Sequence, residues 1–104
     1  MSGPELIVGR GVIAEMVTVA ALGIPGVARV GRGGPRWRSL IAGSSVITQL
    51  SDDGVRVRLW VVARPGQSLV GVAADVRAAV GGAVERLLGM RLASVTVTVD
   101  GVGG

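Results

Sequence analysis

Any chemistry in this chain has to come from serine, acidic and arginine side chains, because its 104 residues include no cysteine and no histidine. A serine nucleophile needs a base to take its hydroxyl proton, and the usual imidazole is missing. The serines instead occupy cap and loop positions. Paired carboxylates act as acid and base only when two of them are held together in a cleft. Asp52 and Asp53 are adjacent, but in Ser51-Asp52-Asp53-Gly54 they read as the corner of a β-hairpin. Zinc-type metals find no Cys or His ligands, and the remaining Asp and Glu residues lack the spacing of an oxygen-ligand loop. Gly9-Arg10-Gly11-Val12-Ile13-Ala14 fits the Gly-x-Gly-x-x-Ala pattern of a phosphate turn. A dinucleotide fold would place an acidic residue about 20 positions further on. Val30 and Gly31 stand there, so a tight strand-to-helix turn is the favoured reading. The residue chemistry thus predicts no enzyme, no cofactor, no metal site and no small-molecule substrate.

Two surfaces remain. Arg36, Trp37 and Arg38, with Arg32 before them, could join Arg56, Arg58 and Trp60 in an electropositive patch with aromatic platforms. Such a patch would suit single-stranded nucleic acid or another anionic surface. The plain alternative is a solvated strand face. The second surface is helical: Ala74, Ala78 and Gly82 recur every fourth residue, and small residues let another backbone come close. Coding bias toward alanine and glycine would give the same stripe. Yet glycine inside a helix costs roughly 1 kcal/mol relative to alanine, and Gly81-Gly82 places two together. A close contact would account for that cost, which makes helix-mediated self-association the hypothesis. Trp60, Thr96 and Thr98 are added as candidate protein-interface positions on the open sheet face.

The elements that position these groups are legible from periodicity. Leu69, Val72, Ala73, Val76, Val80, Ala83, Val84 and Leu87 share one helical face, with Ser68 placed to cap the helix and Gly89 to end it. Ala93, Val95, Val97 and Val99 then alternate with Ser94, Thr96 and Thr98, as in a strand with one buried face. Upstream, Leu6–Arg10 is a strand candidate, and a helix over residues 11–22 buries Ile13, Met16, Val17, Ala20 and Ala21. Ile24-Pro25-Gly26 is a turn, and Val27–Val30 a brief extended segment. Residues 31–44 read as a flexible basic Gly/Arg loop. Ser45–Leu50 and Val55–Ala63 form a hairpin, with Arg56, Arg58, Trp60, Val62 and Arg64 on the face opposite the apolar one.

The order strand-helix-strand-strand-helix-strand predicts a single α+β domain over residues 1–104. It is a two-layer sandwich with both helices on one face of a mainly antiparallel sheet. Hydrophobic content of 49% with only 2% aromatic gives an aliphatic core. The net charge of +4 favours anionic partners. The amino end does not read as a signal peptide, and the apolar run Val12–Leu22 is shorter than the roughly 20 residues of a membrane span. Any membrane attachment is therefore expected to be peripheral or through a partner.

The chain resembles the alkaline shock protein family of bacterial envelope-stress proteins. The matching stretches are Val12-Ile13-Ala14-Glu15-Met16-Val17, Ala20-Ala21-Leu22-Gly23-Ile24-Pro25-Gly26-Val27, Val57–Gly66 and Val72–Val102. They depart from the family pattern at Pro65, at Gly11 and in the basic Trp37 loop. The resemblance implies a non-enzymatic cytoplasmic protein of envelope homeostasis. It also implies self-association and a membrane-anchored protein partner that holds the chain at the inner face of the cell membrane. A small basic nucleic-acid-binding domain is the alternative.

Overall fold

A computed structural model describes residues 9–33 and 45–103. Their order is α1 (Arg10–Leu22), β1 (Val27–Val30), β2 (Val46–Ser51), β3 (Gly54–Ala63), α2 (Leu69–Gly82), a π-helical turn (Ala83–Leu87) and β4 (Leu92–Val102). Most of the strand expected at Leu6–Arg10 lies outside the described residues. Its last member corrects that reading, because Arg10 already opens α1. Gly9 is the cap, and its carbonyl accepts from the amides of Val12 and Ile13. A capping glycine brings no side-chain acceptor, so only backbone bonds close this helix end.

Four strands form one sheet around β3. β2 is the other arm of its hairpin, from Ser51 opposite Gly54 to Val46 opposite Leu59. β1 pairs antiparallel with the far end of β3, Val30 opposite Val61 and Val27 opposite Ala63. β1 and β2 therefore run end to end along one edge. On the other edge β4 lies parallel to β3 over nearly its whole length, from Val55 opposite Leu92 to Ala63 opposite Val102. A parallel partner needs a long crossover, and α2 supplies it. The architecture is α+β in two layers, as the element order predicts.

The core lies between the sheet and the helices. Val55, Val57, Leu59, Val61 and Ala63 line the inner face of β3 and are fully or almost fully buried. Ile13, Val17 and Ala21 of α1 and Val72, Val76 and Val80 of α2 close over them, with Val84 from the π-helical turn. Each such valine, leucine or isoleucine contributes roughly 1.5–3 kcal/mol through burial. Met16 and Ala20, expected inside, are half-buried. Thr18 Oγ1 donates to the Ala14 carbonyl at 2.9 Å, which satisfies the hydroxyl within its own helix.

The α2 helix begins as its sequence implies, with the Ser68 hydroxyl accepting from the Gly71 amide at 3.2 Å. Two ends of its expected buried face are corrected. Leu69 is 43% exposed. As the first helical residue it has no preceding turn, and its side chain tilts toward the open amino end. Leu87 is 71% exposed because the helix widens into a π-turn at Ala83–Leu87, where the Leu88 amide reaches back five residues to the Ala83 carbonyl. The extra residue per turn rotates Leu87 away from the sheet and brings Leu88 against the core. Gly89, at φ +65°, then ends the element, as expected.

Candidate functional site

The outer sheet face is assembled by β-register. Opposite neighbours place Gln49, Arg56 and Ser94 in one row, Ile47, Arg58 and Thr96 in the next, and Trp60 beside Thr98 in a third. All project from the side away from the helices. The first two rows enclose a depression of about 280 Å³ lined by Ile47, Gln49, Arg56, Arg58, Ser94 and Thr96. Arg56 also reaches the hairpin corner, where its Nη2 lies 2.8 Å from Asp53 Oδ2. The Ser51 hydroxyl donates to the other Asp53 oxygen at 2.5 Å. Those two contacts, Ser51 first and Arg56 second, hold the Asp53 carboxyl below its ordinary pKa. Asp52 and Asp53 are thus corner residues of a hairpin.

Trp60 marks the place where the chain leaves one strand and returns on another. Its carbonyl accepts from Gly31 at 2.8 Å and its amide donates to Ser45 at 3.0 Å. From Gly31 the chain crosses the outer face toward β4, with the Arg32 guanidinium 3.7 Å from the Trp60 ring centre. The Gly33 amide then donates to Asp100 Oδ2 at 2.8 Å. Only glycine fits at this crossing, because a Cβ on residue 33 would collide with the Asp100 carbonyl. The first three residues of the expected loop, 31–33, therefore lie on the sheet; Arg36, Trp37 and Arg38 are outside the described residues.

This arrangement reshapes the aromatic surface expected from sequence. Trp60 is half-buried, with Arg32 against its ring and Arg58 5.6 Å from the ring centre. A base would have to displace a stacked guanidinium to use that face. The Arg32 contact was not legible in advance, because it depends on where β1 releases the chain. The only advance signal was that Arg32 follows the glycine ending an extended segment.

The interface candidates fall on opposite sides of the molecule. Trp60, Thr96 and Thr98 are on the outer sheet face, whereas Ala74, Ala78 and Gly82 are on α2. Ala74 and Ala78 are exposed, and Gly82 is half-buried. Gly82 joins Ala20, Ala79, Ala83, Arg86 and Leu87 around a shallow, mainly apolar groove of about 430 Å³ between the helices. Only Arg86 brings charge into it. Both glycines of the Gly81-Gly82 pair have a neighbour within the chain itself: a Cβ at Gly81 would sit 3.2 Å from Leu92 Cδ2 of β4, and one at Gly82 would press on the Arg86 guanidinium. Sequence does not single out Ala20, Ala79 or Leu87 for this groove, because helical spacing puts Ala20 and Leu87 on core-facing stripes and gives Ala79 no distinguishing role.

Known structures with the same fold include MamM CTD in a copper form, at 16% identity and TM-score 0.65, covering 89% of this chain and 98% of that one. A manganese form of MamM CTD aligns at 17% identity and TM-score 0.64, covering 89% of this chain and 99% of that one. Identity this low establishes a shared fold and nothing more. In this chain, no group of three or more acidic side chains among the described residues is placed to share a metal ion. No curated protein matches the sequence. A family model does match, over residues 4–103, and on that near-complete match the chain belongs to the alkaline shock protein 23 family, described as having a cell envelope-related function.

Proposed function

We propose that this protein is a non-enzymatic interaction module of cell envelope homeostasis and the envelope stress response. It associates with further copies of itself through its helical layer and is held at the inner face of the cell membrane by a membrane-anchored protein partner. The observation that carries the reading is the apolar groove between α1 and the end of α2. It is floored by Ala20, Ala79, Gly82 and Ala83 and edged by Leu87. Val19, next to Ala20 on α1, stands 62% exposed. Small residues at the floor let a partner backbone approach, and the large aliphatic groups around them give it area to bury. No helix among the described residues is long and apolar enough to cross a membrane, which is why the reading gives attachment to a partner.

Native mass determination over a range of protein concentrations, in low and high salt, tests it. The expected result is a concentration-dependent oligomer that survives salt, since an apolar contact is not screened. Leu87→Asp should weaken self-association at least about tenfold, because a charge would have to be desolvated in the groove. A monomer at every concentration, or an oligomer indifferent to Leu87→Asp and Gly82→Leu, would overturn the assignment.

A further inference from the structure

On the opposite side of the molecule, the depression on the outer sheet face gathers hydrogen-bond donors of which only Arg56 has a side-chain partner among the described residues. Arg58 has no carboxylate partner among the described residues, where the single ion pair is Arg56 with Asp53. The Ser94 and Thr96 hydroxyls and the Gln49 amide make no hydrogen bond to any described residue, although all three line the same depression as Arg58 and Arg56. All of these side chains are exposed, so water satisfies them in the free protein; what the depression supplies is two positive charges and two hydroxyls within one concave surface, where an anion can exchange that water for charged hydrogen bonds.

The donor set selects the acceptor. A carboxylate carries a single charge, which one guanidinium fork balances, leaving the second arginine uncompensated. Here two guanidinium groups come from alternate positions of β3, and two hydroxyls stand beside them on β4, at the paired positions Arg56–Ser94 and Arg58–Thr96. A tetrahedral oxyanion offers oxygens in both directions, and a phosphate monoester carries about −1.5 to −2 charge near neutral pH, enough for both arginines. We propose that this depression is a binding site for a phosphate monoester, with Arg58, Ser94 and Thr96 as direct contacts and Arg56 as a contact shared with Asp53. Gln49 and Ile47 form its far wall. The Asp53 carboxylate competes with the ligand for Arg56, so the hairpin corner sets the affinity.

The test is an NMR titration of the full chain with inorganic phosphate and with glycerol phosphate. A parallel co-sedimentation uses phosphatidylcholine vesicles with and without phosphatidic acid. Saturable shifts are expected at Arg58 and Thr96. Arg58→Ala should weaken binding about tenfold, the loss expected for a charged hydrogen bond, and Ser94→Ala combined with Thr96→Val should weaken it as well. Asp53→Asn should tighten binding two- to threefold, while Asp52→Asn, which removes the same charge from the same corner without touching Arg56, should change it little. Soluble phosphates bound without the vesicles would identify a free phosphate ligand; vesicles retained in an Arg58-dependent way would identify a lipid headgroup. Wild-type affinity for every probe in Arg58→Ala would overturn the site. Equal tightening by Asp52→Asn and Asp53→Asn would also overturn it, because it would mean a diffuse positive surface.

Discussion

Asp53 is held at the hairpin corner by one hydroxyl and one guanidinium group. Its place at a hairpin corner was evident from Asp53-Gly54, but its engagement by the Ser51 hydroxyl and the Arg56 guanidinium follows from the register that the turn imposes. Both contacts favour the ionised carboxylate and lower its pKa from an ordinary value near 3.8. The folded state therefore gains from Asp53 at pH values above about 3.8, and loses that gain as the pH falls through the lower folded value. Thermal melts from pH 7 down to pH 2.5 should show a shallower loss of stability below pH 4 in Asp53→Asn than in the native protein. The effect is small, because the pair is exposed and solvent screens it. The Arg32–Trp60 stack was not legible at this scale, since residues 28 positions apart in sequence meet only through the path of the chain after β1.

At the scale of elements, periodicity located both helices and three of the four observed strands, and it anticipated the fourth, β1, as a brief extended segment. It failed where the period itself changes. Three- and four-residue spacing carries the buried face of α2 from Val72 through Val84 and would continue it to Leu87. The π-turn adds a residue and hands the inner position to Leu88. No local pattern announces such a turn, because it is set by how the helix end meets β4. The substitution costs should follow the structure and reverse the order that helical spacing implies. Leu88→Ala is expected to cost roughly 1–2 kcal/mol, about half the loss of a fully buried leucine, and Leu87→Ala less than about 0.5 kcal/mol. Chemical denaturation of the two variants decides between the alternatives. The direction of β4 was likewise outside the reach of sequence: alternation fixes which side chains face inward, and leaves open whether the strand runs parallel or antiparallel to its neighbour.

For the molecule as a whole, the two layers divide the candidate functions. The helical layer presents an apolar groove to solvent, whereas the outer sheet face carries Arg29, Arg32, Arg56 and Arg58, with Asp53 and Asp100 each already engaged. One face is thus suited to apolar self-contact and the other to anions. With both helices on one sheet face, the sequence already implies that the helical stripe and the arginine-bearing strand face lie on opposite sides; the residues that line the groove, Ala20, Ala79 and Leu87, follow only from how α1 meets the π-turn. The division also means that the two proposed activities are separable by mutation: changes at Leu87 should leave the arginine face intact, and changes at Arg58 should leave the groove intact.

The crossing of the outer face at Gly31–Gly33 has a kinetic consequence. The Gly33–Asp100 hydrogen bond joins residues 67 positions apart and fastens the chain leaving β1 to the last strand. It requires β3 and β4 to be paired already, and a contact with so long a loop is expected to form late. Asp100→Ala should therefore leave the folding rate nearly unchanged and raise the unfolding rate about fivefold, as for a contact of about 1 kcal/mol absent from the transition state. Stopped-flow refolding and unfolding limbs would separate the two rates. On this account the three-residue crossing works as a latch, closing after the sheet has assembled and releasing before it comes apart.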